Sequence, residues 1–163
     1  MRVQQLVRKR VAVVVVAGML GLGLASCGFA NTSSGGPGDP YAAALFNDLN
    51  HDRAVNGLPP LSWSPKLANQ AGAWANSMAN SGNLVHQNLG GLVSSADYRG
   101  FRTMAENIFV GTNGMSPEQV EGAWMGSPDH RGNILSGNYN IVGIGYFRAA
   151  DGRLWAVQDF GGI

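Results

Sequence analysis

Apolar residues recur at helical spacing in two stretches of the chain. Ala42, Leu45, Phe46 and Leu49, continued by Arg53, fall three or four apart, the spacing of one helix face. Asp39-Pro40 stands just ahead of them, an N-cap residue followed by a proline suited to the first helical position. Gly57 stops this helix, and Pro59-Pro60 prevents its continuation. Ser64-Pro65 opens a second helix with the stripe Leu67, Ala68, Ala71, Trp74, Ala75 and Met78, ended by Gly82. Asn83 to Thr103 has no clear period and reads as irregular. Ala105 to Val110 is a short candidate strand. Ser116-Pro117-Glu118-Gln119 is a further helix start, with Gln119 at the capping-box position, and leads into Val120, Ala123 and Trp124. Ser127-Pro128 starts a short helical turn reaching about Leu135. Two apolar runs, Ile141 to Phe147 and Leu154 to Phe160, flank Ala150-Asp151-Gly152 and predict a β-hairpin. Helices first and antiparallel strands last argue for an α+β fold, with helices packed on a small sheet.

The first segment has a different pattern. Arg2, Arg8, Lys9 and Arg10 form a positive region, and Val11 to Leu24 is an uncharged, mostly apolar run. Leu24-Ala25-Ser26-Cys27 follows, small residues leading to a thiol where a secretory signal would be cleaved. This looks like a bacterial lipobox, which implies a diacylglycerol on Cys27 and cleavage that leaves Cys27 at the N-terminus. An uncleaved membrane helix competes with this reading, but fourteen residues fall short of the roughly 20 a bilayer core requires. An ordinary signal peptide with an incidental thiol also competes, although an unpaired cysteine in an exported protein needs a reason. Cys27 is the only cysteine, so the chain forms no internal disulfide and its domain stands on its core. Gly28 to Asp39 is rich in glycine and serine and reads as a flexible tether. The organisation expected is therefore a lipoprotein signal over 1–26, the lipidated cysteine and linker over 27–40, and one domain over 41–163.

Charge excludes one class of partner. After the leader, seven basic side chains face ten acidic ones, a net of −3, and the charges are dispersed. No basic nucleic-acid footprint is present.

Between 49 and 160 the residues form ordered blocks. Leu49-Asn50, Arg53 and Gly57 to Leu61 with Trp63 come first, then Leu67-Ala68, Ala71 to Ala79 and His86. Ala105-Glu106-Asn107-Ile108 and Gly111 follow, then the run from Trp124 to Leu135 that contains Ser127-Pro128-Asp129-His130. Val142-Gly143-Ile144-Gly145, Trp155 and Gln158-Asp159-Phe160 close the series. This resembles the CAP superfamily of cysteine-rich secretory, antigen 5 and pathogenesis-related 1 proteins, in its bacterial branch, over essentially all of residues 41–163. The Glu-Asn-Ile block together with the Trp-Met to Ile-Leu block carries most of the specificity. The resemblance implies an α-β-α sandwich with a central antiparallel sheet.

The resemblance also implies a cleft lined by two His and two Glu. His86, Glu106 and His130 match three of them. The place of the second Glu holds Ser127, as bacterial relatives often do. Two imidazoles and one carboxylate match the donor set of some zinc sites, so zinc or another divalent metal is one expectation. A metal-free, hydrogen-bonded His-Glu-His cluster is the other. Sequence separation alone supplies no local metal motif. Ser127 and His130, three apart, have the spacing of a nucleophile and its base on one helical turn, but a helix N-cap suits Ser127 better. Asn107 and Asn133 read as partners for buried backbone groups beside the cleft. Arg53 reads either as an ion-pair donor or as part of a solvated face. Trp63, Trp74, Trp124 and Trp155 read as core, and His51 as a surface residue.

Two function classes follow. One is a monomeric binding module, held at the extracytoplasmic face of the cell membrane by lipid on Cys27 and taking a lipid or other envelope ligand. The other is a metal-assisted, peptidase-like hydrolase using His86, Glu106 and His130. The absence of a second carboxylate tilts the balance away from catalysis.

Overall fold

The computed structural model describes residues 38–163; the leader, Cys27 and the linker up to residue 37 lie outside the described residues. The elements run α1 (Pro40–Val55), β1 (Ser62–Trp63), α2 (Pro65–Ser81), α3 (Leu89–Val93), a 3-10 turn (Ala96–Tyr98), β2 (Thr103–Thr112), α4 (Pro117–Met125), α5 (Pro128–Ile134), β3 (Ile141–Arg148) and β4 (Arg153–Gly162).

The helix boundaries follow from local chemistry. Asp39 caps α1 by accepting from the Tyr41 and Ala42 amides at 3.0 and 2.9 Å. Its other oxygen accepts from the Tyr146 hydroxyl at 3.2 Å, so Asp39 is already built into the fold. Gly57, at φ 75°, ends α1 with paired bonds from Leu58 N to Arg53 O and from Gly57 N to Ala54 O. Ser64 caps α2, and Gly82 ends it in the left-handed region. Ser116 and Gln119 form the expected reciprocal capping box on α4.

The sheet order is β1-β3-β4-β2. Its three long strands are antiparallel; the two-residue β1, invisible to any period count, pairs parallel to β3 at one edge. β2 is the opposite edge strand and runs two residues further at each end than its apolar stretch suggests, because β4 pairs with all of it. The segment read as irregular contains α3 and the 3-10 turn. Five residues with two glycines are too short to show a period, and Asn88 supplies the cap to the Gly91 amide.

Strand alternation divides the core. Val142, Ile144, Tyr146, Leu154, Ala156 and Phe160 face α1 and α4, where Ala42, Leu45, Leu49, Val120 and Trp124 are buried. Trp155, Val157 and Ile108 face Ala71, Ala75 and Met78 of α2. The three layers are thus α2, the sheet, and α1 with α4 and α5. Gly143 and Gly145 lie directly under the α2 backbone at Ala68 and Gly72, leaving no room for a Cβ. Of the four tryptophans, Trp124 and Trp155 are buried; Trp63 and Trp74 are only partly so, and Trp74 Nε1 instead donates to Val85 O at 2.9 Å.

Arg53 overturns both of its sequence readings. It is 1 % exposed and forms no ion pair among the described residues. Its guanidinium donates to the carbonyls of Pro59 (2.9 Å), Ile134 (2.7 Å) and Ser136 (2.8 Å). α1 brings the side chain to where the α5 terminus leaves carbonyls without helical partners, and a planar five-donor fork serves several at once.

Candidate functional site

The edge position of β2 lets segments from both helical layers reach it. Glu106 and Asn107 point to opposite faces of the strand. On the α2 side, the chain leaves α2 and returns along β2, bringing His86 and Gln87 against Glu106. His86 Nδ1–H donates to Glu106 Oε1 at 2.7 Å. The Gln87 amide donates to the same oxygen at 3.0 Å, and Gln87 Nε2 donates to Glu106 Oε2 at 2.6 Å. Both carboxylate oxygens are therefore engaged. The His86 side chain is 58 % exposed while that of Glu106 is fully buried. This bond holds the His86 proton on Nδ1 and leaves Nε2 as the outward-facing nitrogen.

Asp159 completes the arrangement. It is the cross-strand partner of Glu106 in the β2–β4 register, is fully buried, and accepts from Gln87 Nε2 at 3.0 and 3.2 Å. Burial raises its pKa well above the usual carboxylate range, the Glu106 charge raises it further, and the Gln87 hydrogen bond opposes the rise. The surroundings of Asp159 thus favour its protonated form. Gln87 is held in turn by a hydrogen bond from Gln70 Nε2 to its Oε1.

On the other face, Asn107 Nδ2 donates to His130 O at 3.1 Å and to Gln158 Oε1 at 3.0 Å. Asn133 Nδ2 donates to Asn107 Oδ1 at 2.9 Å and to Glu106 O at 3.3 Å. These amides fasten α5 to β2 through backbone carbonyls, the role expected of Asn107 and Asn133. His130 is half-buried on α5. Burial lowers its pKa first, the His86 charge lowers it further, and Asp129 opposes both. Ser127 occupies the N-cap position of α5, but its side chain makes no capping hydrogen bond.

The structure therefore joins His86 directly to Glu106 and brings His130 to the same strand edge by its backbone. Gln87 and Asp159 were not singled out from sequence as site residues. Asp159 stood in one of the quoted blocks, but only the strand register shows that it faces Glu106. The site does hold a second carboxylate, contributed by β4 rather than by the position of Ser127. Among the described residues, no three of His, Cys, Asp and Glu converge as metal ligands would. Both Glu106 oxygens and His86 Nδ1 are engaged in hydrogen bonds, so a metal at this edge would have to be held through other atoms, His86 Nε2 and the His130 ring.

Comparison with known proteins agrees with this architecture. The model of the cysteine-rich secretory protein family, CAP, matches residues 46–160. Protein YkwD of Bacillus subtilis is 31 % identical over 137 residues, covering 80 % of this chain and 52 % of the relative, so the chain spans about half that relative's length. Among solved structures, an outer surface protein from Borrelia burgdorferi superposes with a TM-score of 0.65 at 19 % identity, over 74 % of this chain and 90 % of the other. A cysteine-rich secretory protein from Staphylococcus aureus gives 0.61 at 23 % identity, over 76 % of this chain and 38 % of that one. At these identities the structures speak for the fold, and the family model and YkwD speak for descent: the chain belongs to the cysteine-rich secretory protein (CAP) family.

Proposed function

We propose that this CAP domain is an extracytoplasmic binding module, anchored through lipid on Cys27, whose cleft at the β2 edge takes a lipid or other envelope ligand with an apolar body and a polar head. The observation that carries the proposal is the segment leading into the site. Leu84 and Val85 are 47 % and 51 % exposed and directly precede His86, whose outward nitrogen is free to hydrogen-bond a polar group. Exposed apolar side chains beside a convergent polar group are the ingredients of ligand recognition.

Glu106 supports the same reading. A general base needs a lone pair within reach of the proton it removes. Glu106 is buried and its oxygens already accept three hydrogen bonds, so it acts by orienting His86 and Gln87. The charged leader and the sequence Leu24-Ala25-Ser26-Cys27 support export and lipid attachment. The family's description as secretory and the Borrelia neighbour's as an outer surface protein accord with an extracytoplasmic place.

The test is to purify the full chain from its own host, extract it with organic solvent and analyse the extract by mass spectrometry. A lipid covalently held by Cys27 stays with the protein, whereas a cleft ligand is released. The expected result is a bound lipid that disappears when Leu84 and Val85 are both changed to Ser. Recovery of no lipid, together with metal-dependent peptide cleavage lost in Glu106→Gln, would overturn the proposal in favour of the hydrolase.

A further inference from the structure

A concave site lies between α1 and α4, away from His86 and Glu106. It has a volume of about 350 Å³, and its walls carry Asp48, His51 and Asp52 from α1 and Glu118, Glu121 and Met125 from α4. No lysine or arginine lines it. Acidic helix faces are common and mean little alone, but Glu121 is different. It is 2 % exposed, its Oε2 accepts from Gln158 Nε2 at 2.6 Å, and its Oε1 is buried without a hydrogen-bond partner among the described residues. A buried carboxyl oxygen left without a partner costs free energy, and once the group ionises a ligand's N–H can recover that cost.

The shape of the site narrows the ligand. A dehydrated metal ion requires several oxygens converging on one point, and no three acidic or imidazole groups among the described residues do so. The volume matches a small organic molecule, pockets for which start at about 300 Å³. Gly122 and Met125 give it a wall without charge. We propose that this pocket binds a small organic ammonium ion with a short aliphatic chain, such as a free diamine or the side chain of a lysine-like group, its N–H donating to Glu121 Oε1.

Binding is then linked to a proton. Burial, with the charges of Asp52 and Asp48, raises the Glu121 pKa to about 8, and the Gln158 hydrogen bond opposes this. His51 on α1 and Glu118 on α4 are the other titratable groups lining the pocket, and Gln158 of β4, which donates to Glu121, is uncharged. An ammonium seated on Glu121 favours the carboxylate, so at neutral pH the Glu121 proton leaves to solvent as the cation enters.

The experiment is calorimetry of the full chain with cadaverine at pH 7, repeated in buffers of different ionisation enthalpy, with calcium chloride as a separate titrant. Saturable binding at one site is expected, with release of a proton. Glu121→Gln, which matches the protonated side chain in shape, should weaken binding by about tenfold or more and abolish proton release. The pair Asp48→Asn and Asp52→Asn should weaken binding and reduce proton release without abolishing it, since their charges help to hold the Glu121 proton, and this second variant guards against a folding defect in one. Absence of saturable binding up to about 10 mM, equal affinity in Glu121→Gln, or tighter binding of calcium than of cadaverine at this pocket would overturn the proposal.

Discussion

Glu106 and Asp159 stand opposite each other on β2 and β4, both buried, and the carboxamide of Gln87 donates to both. Two carboxyl groups so placed cannot both ionise cheaply. One amide donating to both makes the pair more tolerable and gives Glu106 a fixed orientation toward His86, while burial favours the protonated form of Asp159.

Gln87→Ala should therefore damage the site out of proportion to its size. It leaves Glu106 Oε2 without its donor and removes the Asp159 contact. A loss of about 1–3 kcal/mol is expected by urea denaturation. The backbone amide of residue 87 remains, so the His86–Glu106 bond should survive, as a retained Nδ1–H signal in NMR would show. A variant as stable as the parent would remove the bridging role assigned to Gln87.

Gly143→Ala tests the seating of α2 on β3. The new methyl would meet the backbone at Leu67 and Ala68, where neither element can yield without shifting the layer. A destabilisation of about 1–3 kcal/mol or more is expected from overpacking. Gly137→Ala is the control, since nothing lies within 4 Å of its added methyl and its φ is not positive. Similar melting temperatures for the two variants would contradict the close approach.

Arg53→Met should cost about 2–4 kcal/mol, because three carbonyls on two segments lose a charged donor in a buried place. Arg53→Lys should recover only part of this, since an ammonium lacks the planar fork. Full rescue by lysine in thermal melts would show that charge alone suffices.

Stability should fall as pH rises through the neutral range. Glu121 has its folded-state pKa raised from 4.5 to about 8, so the folded chain holds a proton that the unfolded chain releases. Its contribution is whole below about pH 4.5 and is lost as pH climbs to about 8. Asp159, raised for the same dominant reason, acts with the same sign. Glu121→Gln should flatten the curve by about 1 kcal/mol per pH unit, within the limit of roughly 1.4 for one group. An unchanged slope in that variant, measured by urea titration from pH 5 to 9, would place Glu121 outside this linkage.

The anchor has its own test. Cys27→Ser should leave the exported domain unlipidated and absent from the washed membrane fraction of its host. A variant still cut before residue 27 and still membrane-bound would show that lipid on Cys27 is the wrong explanation.

What the sequence determined by itself is whatever depends on near neighbours. Asp39-Pro40, Ser64-Pro65 and Ser116-Pro117 each mark a helix start because a cap and a preset φ act within one turn, and Ser127-Pro128 marks one through the proline alone, since Ser127 makes no capping hydrogen bond. The hairpin around Gly152 and the long strands are local in the same sense. The block order was enough to identify the family and to point to His86, Glu106 and His130. Only tertiary structure decided which groups face them. Asp159 meets Glu106 because of strand register, Arg53 meets Ile134 because α1 passes the end of α5, and Glu121 is buried because α4 turns it onto Gln158. On paper Glu121 is one more glutamate on a short helix, and Arg53 one more charged residue. Burial and partner geometry, which separate a solvated charge from a constrained one, arise only when segments distant in sequence are brought together.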